Sequence, residues 1–542
     1  MNVILILLDS LNKSFIGPYG NQQVKTKNMD RLAEKGIVFE NHFLCSAPCL
    51  PARRELFSGR KNEFLWKFWG PVEPFDRLLP IEAKHLGAIT ALITDHYHYW
   101  EPIVHGYHEN YMYTNLIRGH EFDPASSEPL EDPKDYPQWV KSYLKWRKPE
   151  NSSIQYYRNV KNFREEKDFH GPEVMQATCD WLDKNNSHKK FFLHIESFDP
   201  HEPFYIPEPY RSMYGPYNDN FTCWPPYQNK KQLQQFLNEV PDEQIEFVKN
   251  QYCGKVTMVD RWLGKVFDKL DQYNLWDNTM VILTTDHGHA IAERDRKIQQ
   301  YGKEHPIFED VANIPLIIYH PEIEGNRRIS TTFSTIVDIR ATILEALGAK
   351  PDKNLMVDGK SLIPILKREK KTIREYILYG TFGEGINLST WDATYIRGFN
   401  AKKPINVYTS VFPLSLSPSV ISNISARYGI KINYEMYENM LGGIYENVES
   451  GFFIPEVKIP QWKIPLPSFY FGSKGSTKEN KQNYLFDRKK DPTFQNNLVG
   501  KPEEKELENK MVKKMIEVLK LEHAPLEQFD RLMLNSEKKV LS

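Results

Sequence analysis

The sequence predicts an α/β fold: one large, mostly parallel sheet sandwiched by helices, followed by a smaller C-terminal subdomain of antiparallel strands. Three observations predict it. Short, continuous apolar runs, typical of strands buried on both faces, recur between amphipathic helices. Several of these runs end in acidic or imidazole side chains. After residue 370 the pattern changes to short strands, turns and a Pro- and aromatic-rich stretch. The expected organisation is a main domain over 1–370, carrying an insertion at 101–170, and a second unit over 371–542.

Residues 2–8 are apolar and partly β-branched, which predicts a buried strand with Asp9 at its carboxyl end. Gly17-Pro18-Tyr19-Gly20 is a turn, and residues 28–35 form a short helix capped near Asn28 and stopped by Gly36. In Cys49-Leu50-Pro51-Ala52-Arg53 the proline suits the first turn of a helix, where a missing N–H is harmless. Cys49 then occupies the positive helix end, which favours an anion or a thiolate. Arg53, four residues on, shares its face. A buried cysteine at a helix start is the plainer alternative for this pentapeptide by itself.

Residues 88–94 form a second strand, followed by Asp95-His96-Tyr97-His98, whose plain reading is a polar aromatic loop closing over it. Residues 101–170 are rich in Tyr, Pro, Trp and charge with little periodicity, the character of a long loop-bearing insertion or lid. Arg118 within it is a candidate for substrate contact or a structural arginine. A helix over 173–183 leads to a third strand at 191–198 and then Asp199-Pro200-His201-Glu202-Pro203. Residues 242–273 form a long amphipathic helix with Val248, Tyr252, Val256, Val259, Leu263, Val266 and Leu270 on its core face and Asp242 as N-cap. The strand at 279–285 closes in Asp286-His287-Gly288-His289. Two ligand-type residues at a strand tip suggest a metal, with a hydrogen-bonded Asp–His pair as the alternative.

A fifth strand at 314–320, a helix at 334–347 stopped by Gly348, and residues 358–364 complete the main domain. Beyond it come strands at 376–378 and 394–397, an irregular stretch at 452–470, a strand at 484–487 and a charged helix over 502–521. In such sheets ligands gather beyond the carboxyl ends of the parallel strands, so Asp9, the Asp95–His98 segment, His201, Asp286 and His287 are expected to meet.

Composition bounds the rest. Seventy basic and 71 acidic residues give a net charge of −1, which offers no electrostatic case for nucleic acid or an anionic membrane. No run approaches the ~18 apolar residues of a membrane span, and the run at 3–8 lacks the flanks of a signal peptide. The expectation is a cytoplasmic chain with no membrane partner. Five scattered cysteines do not suggest a disulfide framework.

The Cys49–Arg53 pentapeptide, followed by Gly59-Arg60, resembles the Cys-x-Pro-x-Arg signature of type I sulfatases, members of the alkaline-phosphatase-like superfamily. The resemblance continues in blocks: the strand ending at Asp9, the Tyr19-Gly20 turn, Asp30-Arg31-Leu32-Ala33, Asp199-Pro200-His201-Glu202-Pro203, Asp286-His287-Gly288, Lys303 ahead of the fifth strand, and Tyr484-Leu485-Phe486-Asp487 with Asp491-Pro492. It is weakest over 101–170 and 400–475.

The resemblance implies sulfate ester hydrolysis. The cysteine is oxidised in that family to formylglycine, whose hydrated aldehyde attacks sulfur and later expels sulfate. By the same resemblance, Asp9, Asp286 and His287 hold one divalent cation together with residue 49, and Arg53 steadies the nucleophile. His201 and Lys303 bind ester oxygens, and one of them protonates the leaving alcohol. His96 or His98 is a further substrate-contact candidate, since Asp95 falls roughly where the family has a lysine, and His305, in the Lys303 segment, is another. Implied partners are a small-molecule or oligosaccharide sulfate ester and a maturation enzyme acting on Cys49.

The metal site departs from the common pattern. Ser10 stands where a second Asp is usual, which leaves its role as a ligand open, and His287 stands where Asn is common. Calcium is the family's ion; imidazole in place of a carboxylate admits manganese or zinc. Phosphonate monoester hydrolases resemble this variant, so phosphonate or phosphate ester hydrolysis is the first alternative. A catalytically silent metal-binding protein is the second.

Overall fold

The computed structural model describes the chain except residues 102–103, 148–149, 227–229, 292–300, 304, 351–357, 412–434, 436–441, 444–445, 467–480 and 536–542. Its centre is an eight-stranded sheet. In spatial order the strands are Arg327–Ile329, Ile37–Phe39, Leu316–Tyr319, Thr279–Thr284, Asn2–Leu8, Phe191–Ser197, Ile89–Thr94 and Tyr113–Leu116. Every pairing is parallel except the two made by Leu316–Tyr319, so the fifth predicted strand runs against its neighbours.

The strand Asn2–Leu8 explains the two-sided burial. Successive side chains point to opposite faces. Ile4, Ile6 and Leu8 enter one core with Met29, Val174, Val256, Val259 and Leu263; Val3, Leu5 and Leu7 enter the other with Leu56, Phe57, Ile339 and Ile343. The first core packs helices Lys27–Lys35, His170–Asn185 and Asp242–Gln272 against the sheet, and the second packs Cys49–Ser58, Leu79–His85 and Ile336–Ala346. All seven apolar positions read on the long helix face the first core.

Several local expectations are corrected. Asn28 is not an N-cap: the helix opens at Lys27 after Thr26, and Asn28 donates instead to the Asp260 carbonyl at 2.9 Å. Asp242 is the first helical residue, after Pro241, and its helix has no side-chain cap. The 334–347 helix begins at Ile336, because Ser334–Thr335 pairs with His42–Phe43 and Thr335 caps the helix in a box with Asp338. The insertion is more ordered than its composition suggested. It adds the edge strand Tyr113–Leu116 and the helices Gln138–Leu144 and Glu150–Val160.

The C-terminal strands form a five-stranded sheet ordered Tyr484–Asp487, Ala393–Arg397, Ile386–Thr390, Tyr376–Thr381 and Ser46–Ala47. Its last member comes from the segment just before Cys49, so this sheet crosses the expected boundary at 370. Lys505–Leu521 covers it, burying Met515, Ile516 and Leu519 with Phe64, Leu65 and Tyr395. Gln461–Leu466 belongs to a separate three-stranded sheet with Ile405–Thr409 and Glu449–Gly451. The end of the predicted irregular stretch, 467–470, lies outside the described residues. Among the described residues no helix is long and apolar enough to cross a membrane.

Candidate active site

Four adjacent parallel strands deliver their tips to one edge. Thr279–Thr284, Asn2–Leu8, Phe191–Ser197 and Ile89–Thr94 lead directly into Asp286, Asp9, Asp199 and Asp95. Cys49 opens its helix beneath this edge, with Pro51 in the first turn. Ligand atoms of Asp9, Cys49, Asp286 and His287 all lie within 4.8 Å of one another, and all four residues are buried.

The pairings around this group are specific. His287 Nδ1 donates to the Gly288 carbonyl at 2.9 Å, which turns Nε2 toward the cluster. That nitrogen lies 3.1 Å from Asp286 Oδ2 and 3.3 Å from Cys49 Sγ. Gly288 is required locally, since a Cβ there would strike the Asp310 carbonyl. Ser10 adopts a φ of +64°, donates its hydroxyl to Asp9 Oδ1 at 2.8 Å, and offers its N–H to Asp286 Oδ1 at 3.3 Å. It thus orients both carboxylates as a donor.

Arg53 is fully buried and spans three carboxylates. Its guanidinium donates to Asp9 Oδ2 at 2.8 Å, and to Asp286 and Glu196. Nη1 also reaches the Cys49 carbonyl at 3.1 Å. The arginine expected to touch the reacting group is therefore occupied in holding the acidic residues and the start of the helix. Glu196 in turn accepts from the Tyr99 hydroxyl at 3.0 Å. Neither Glu196 nor Tyr99 was singled out from the sequence, although a glutamate inside the apolar run 191–198 was a usable signal.

Lys303 follows the short ladder of Ala290–Ile291 with Tyr301–Gly302. Its ammonium donates to Cys49 Sγ at 3.0 Å and to His201 Nε2 at 2.7 Å. The His201 Nδ1 proton goes to the Glu202 carbonyl at 2.7 Å, which leaves Nε2 as the acceptor. Burial, then the Lys303 charge, pushes His201 well below its ordinary range. Burial opposes the charge on Lys303, but Cys49, Asp9 and Glu202 outweigh it and hold the ammonium above its usual value. In this pair the lysine carries the proton.

Cys49 sits at a helix N-terminus, as expected. Burial, followed by Asp9, pushes its thiol well up. Burial and the neighbouring Asp286 likewise raise Asp9 above the carboxylate range.

The other candidates separate. His96 is buried with its Nε2 3.9 Å from Asp9 Oδ2, at the margin of the cluster, and neither ring nitrogen has a hydrogen-bond partner. His98 Nδ1 is instead taken by Glu101 Oε1 at 2.6 Å. Asp95 accepts the Phe198 N–H at 2.5 Å and so braces the strand end. Arg118 is held by both oxygens of Asp123, at 2.6 and 2.7 Å, the geometry of its structural alternative. His305 packs on Phe399 and against Gly385 of the C-terminal sheet, where a Cβ would collide with its ring.

A further residue supports the His201 loop. Lys255, on the long helix, donates to Asp199 Oδ1 at 2.6 Å, the His201 carbonyl at 2.6 Å and the Pro203 carbonyl at 2.9 Å. Its burial on a helix read only as core concealed this role.

Comparison with known proteins places the arrangement. The sulfatase family model matches residues 1–349. A multifunctional alkaline phosphatase superfamily protein of Trinickia caryophylli is 27% identical over 421 residues, covering 68% of this chain and 77% of that protein. Human N-acetylgalactosamine-6-sulfatase is 22% identical over 406 residues, covering 70% and 68%. The crystal structure of a phosphonate monoester hydrolase of Agrobacterium radiobacter superposes with a TM-score of 0.60 at 18% identity, covering 96% of each chain.

Proposed function

The chain belongs to the sulfatase family, and from that premise we propose that it hydrolyses sulfate monoesters at Cys49. The observation that carries this reading is the meeting of Asp9, Cys49, Asp286 and His287 at one sheet edge, with Lys303 bridging Cys49 and His201. Oxidised to formylglycine by a maturation enzyme, residue 49 supplies a hydrated aldehyde as nucleophile.

The donor set fits one divalent cation. Two buried carboxylates lie beside an imidazole whose outward nitrogen is not committed to a proton, and the burial and then the Asp286 charge that raise Asp9 are what a cation offsets. Asp9, Asp286, His287 and residue 49 would hold that ion, which supplies Lewis-acid polarisation of the ester group. Mixed oxygen and nitrogen donors suit manganese or zinc as well as calcium.

The remaining work falls to the chain's own side chains. Arg53 fixes the spacing of Asp9 and Asp286. Lys303 presents positive charge to the anionic ester and is the acid the departing oxygen meets; neutral His201 orients that ammonium. The substrate is a small-molecule or oligosaccharide sulfate ester, met in the cytoplasm.

A second reading, hydrolysis of phosphonate or phosphate esters, is favoured by Ser10 and His287 at the cation site. Matured protein decides between them. Turnover of 4-nitrophenyl sulfate ahead of a nitrophenyl phosphonate, with an aldehyde mass at residue 49, is expected. Phosphoryl turnover far ahead of sulfate would replace the first reading by the second. A thiol at residue 49 in protein from the native host, with neither activity, would favour a silent binding protein.

A further inference from the structure

Beside the Cys49 cluster, His201 borders a second group of buried ligand-type atoms. Glu121, from the insertion, and Glu202 bring carboxylate oxygens within 4.8 Å of each other and of a His201 ring nitrogen. Glu202 Oε2 lies 3.3 Å from His201 Nδ1 and 3.5 Å from His289 Nδ1, and Glu121 Oε1 lies 3.8 Å from His201 Nδ1. Glu202 is 1% exposed, yet among the described residues neither of its oxygens accepts a hydrogen bond. His201 does not serve it, because the Nδ1 proton is given to the Glu202 carbonyl. A buried carboxylate without donors is unfavourable unless a partner completes it. Glu121, which accepts from the Tyr97 hydroxyl at 3.5 Å through Oε2, turns its other oxygen toward His201.

Two kinds of partner could complete Glu202: a second cation, or hydrogen-bond donors on a substrate. The cation is disfavoured by His201. To ligate through Nδ1, the ring would move its proton to Nε2, directly against the Lys303 ammonium 2.7 Å away. Donors on a substrate require no such change. With Lys303 in the role proposed above, the carboxylates beside His201 fall on the side of the leaving alcohol.

We propose that Glu202, with Glu121 beside it, is an acceptor subsite for hydroxyl or ammonium donors carried by the leaving alcohol next to the sulfate ester. The favoured substrates are then sulfated polyols and amino sugars, ahead of plain aryl sulfates. This rests on the sulfate-ester reading above.

The test compares kcat/KM for glucose 6-sulfate, glucosamine 6-sulfate and 4-nitrophenyl sulfate in matured wild type, Glu202→Ala and Glu202→Gln. In Glu202→Ala the ratio of sugar to aryl kcat/KM should fall about ten- to a hundredfold, the range for an unmade charged hydrogen bond. Glu202→Gln keeps an acceptor oxygen but no charge, so a larger loss for glucosamine 6-sulfate identifies the ammonium as the donor, and equal losses identify hydroxyls. If Glu202→Ala does not fold, the isosteric Glu202→Gln carries the comparison. Ratios unchanged in both variants, with sulfate turnover intact, would overturn the subsite alone. Matured wild type inert toward all three esters would overturn the sulfate reading and the subsite with it. Two ions per chain in wild type but one in Glu202→Ala would overturn the subsite in favour of a second cation.

Discussion

The Lys303–His201 pair stands between two buried acidic groups that are built differently. On the Cys49 side, Asp9, Asp286 and Glu196 share Arg53, and Ser10 and Tyr99 supply further donors. On the other side, neither Glu202 oxygen accepts a hydrogen bond among the described residues. Internal pairing fixes the first group before anything binds, which is what a cation site and a positioned nucleophile require. In the second group Glu202 faces the Lys303 ammonium through charge alone, which leaves its oxygens open to donors from a bound molecule. The difference separates framework from recognition on the two sides of one lysine–histidine pair.

The largest break in this comparison is expected at the nucleophile. Cys49→Ala should abolish sulfate turnover, by at least about a thousandfold, while leaving the melting temperature close to that of wild type. Dialysis against a chelator comes next. Activity should be lost and then restored by manganese or calcium, and the restoring ion identifies the resident metal. Arg53→Met tests whether the first group is framework. It strands three buried carboxylates, so urea denaturation should show a loss of about 3–5 kcal/mol, far more than a variant on the Glu202 side.

Smaller effects sharpen the picture. Lys255→Met removes the donor shared by Asp199 and the His201 and Pro203 carbonyls. We expect kcat to fall about tenfold or more with a smaller change in KM, and Lys255→Arg to restore part of it. The smallest signal is a pH slope in stability. Burial pushes Glu55 up to about 8 from 4.5, against hydrogen bonds from Ser46 and Glu63. The folded chain thus keeps a proton that the unfolded chain releases. The associated stability is complete below pH 4.5 and is lost as pH rises through 8, by at most about 1.4 kcal/mol per unit. Glu55→Gln should flatten that slope in denaturation curves recorded between pH 5 and 8.

Legibility in the sequence follows the same division. The sheet, the long helix and the convergence of Asp9, Asp286 and His287 were readable, because buried parallel strands produce unbroken apolar runs whose ends share one edge. The edge strand Tyr113–Leu116 was not. One side of it is open to solvent and its residues, Tyr-Thr-Asn-Leu, carry no apolar run. Arg53 was correctly placed near Cys49, but its three partners come from strands separated from it by up to 233 positions, so its structural duty could not be read locally. Glu202 was visible only as the variable residue of Asp-Pro-His-x-Pro. The pairing of Ser46–Ala47 with the C-terminal sheet was not readable, because two residues are too short to register as a strand.

The most direct test is anomalous diffraction from crystals of matured, active protein grown with manganese. A single manganese peak bounded by Asp9, Asp286, His287 and an oxidised residue 49 is predicted. Active protein whose manganese lies away from these four residues would contradict the account.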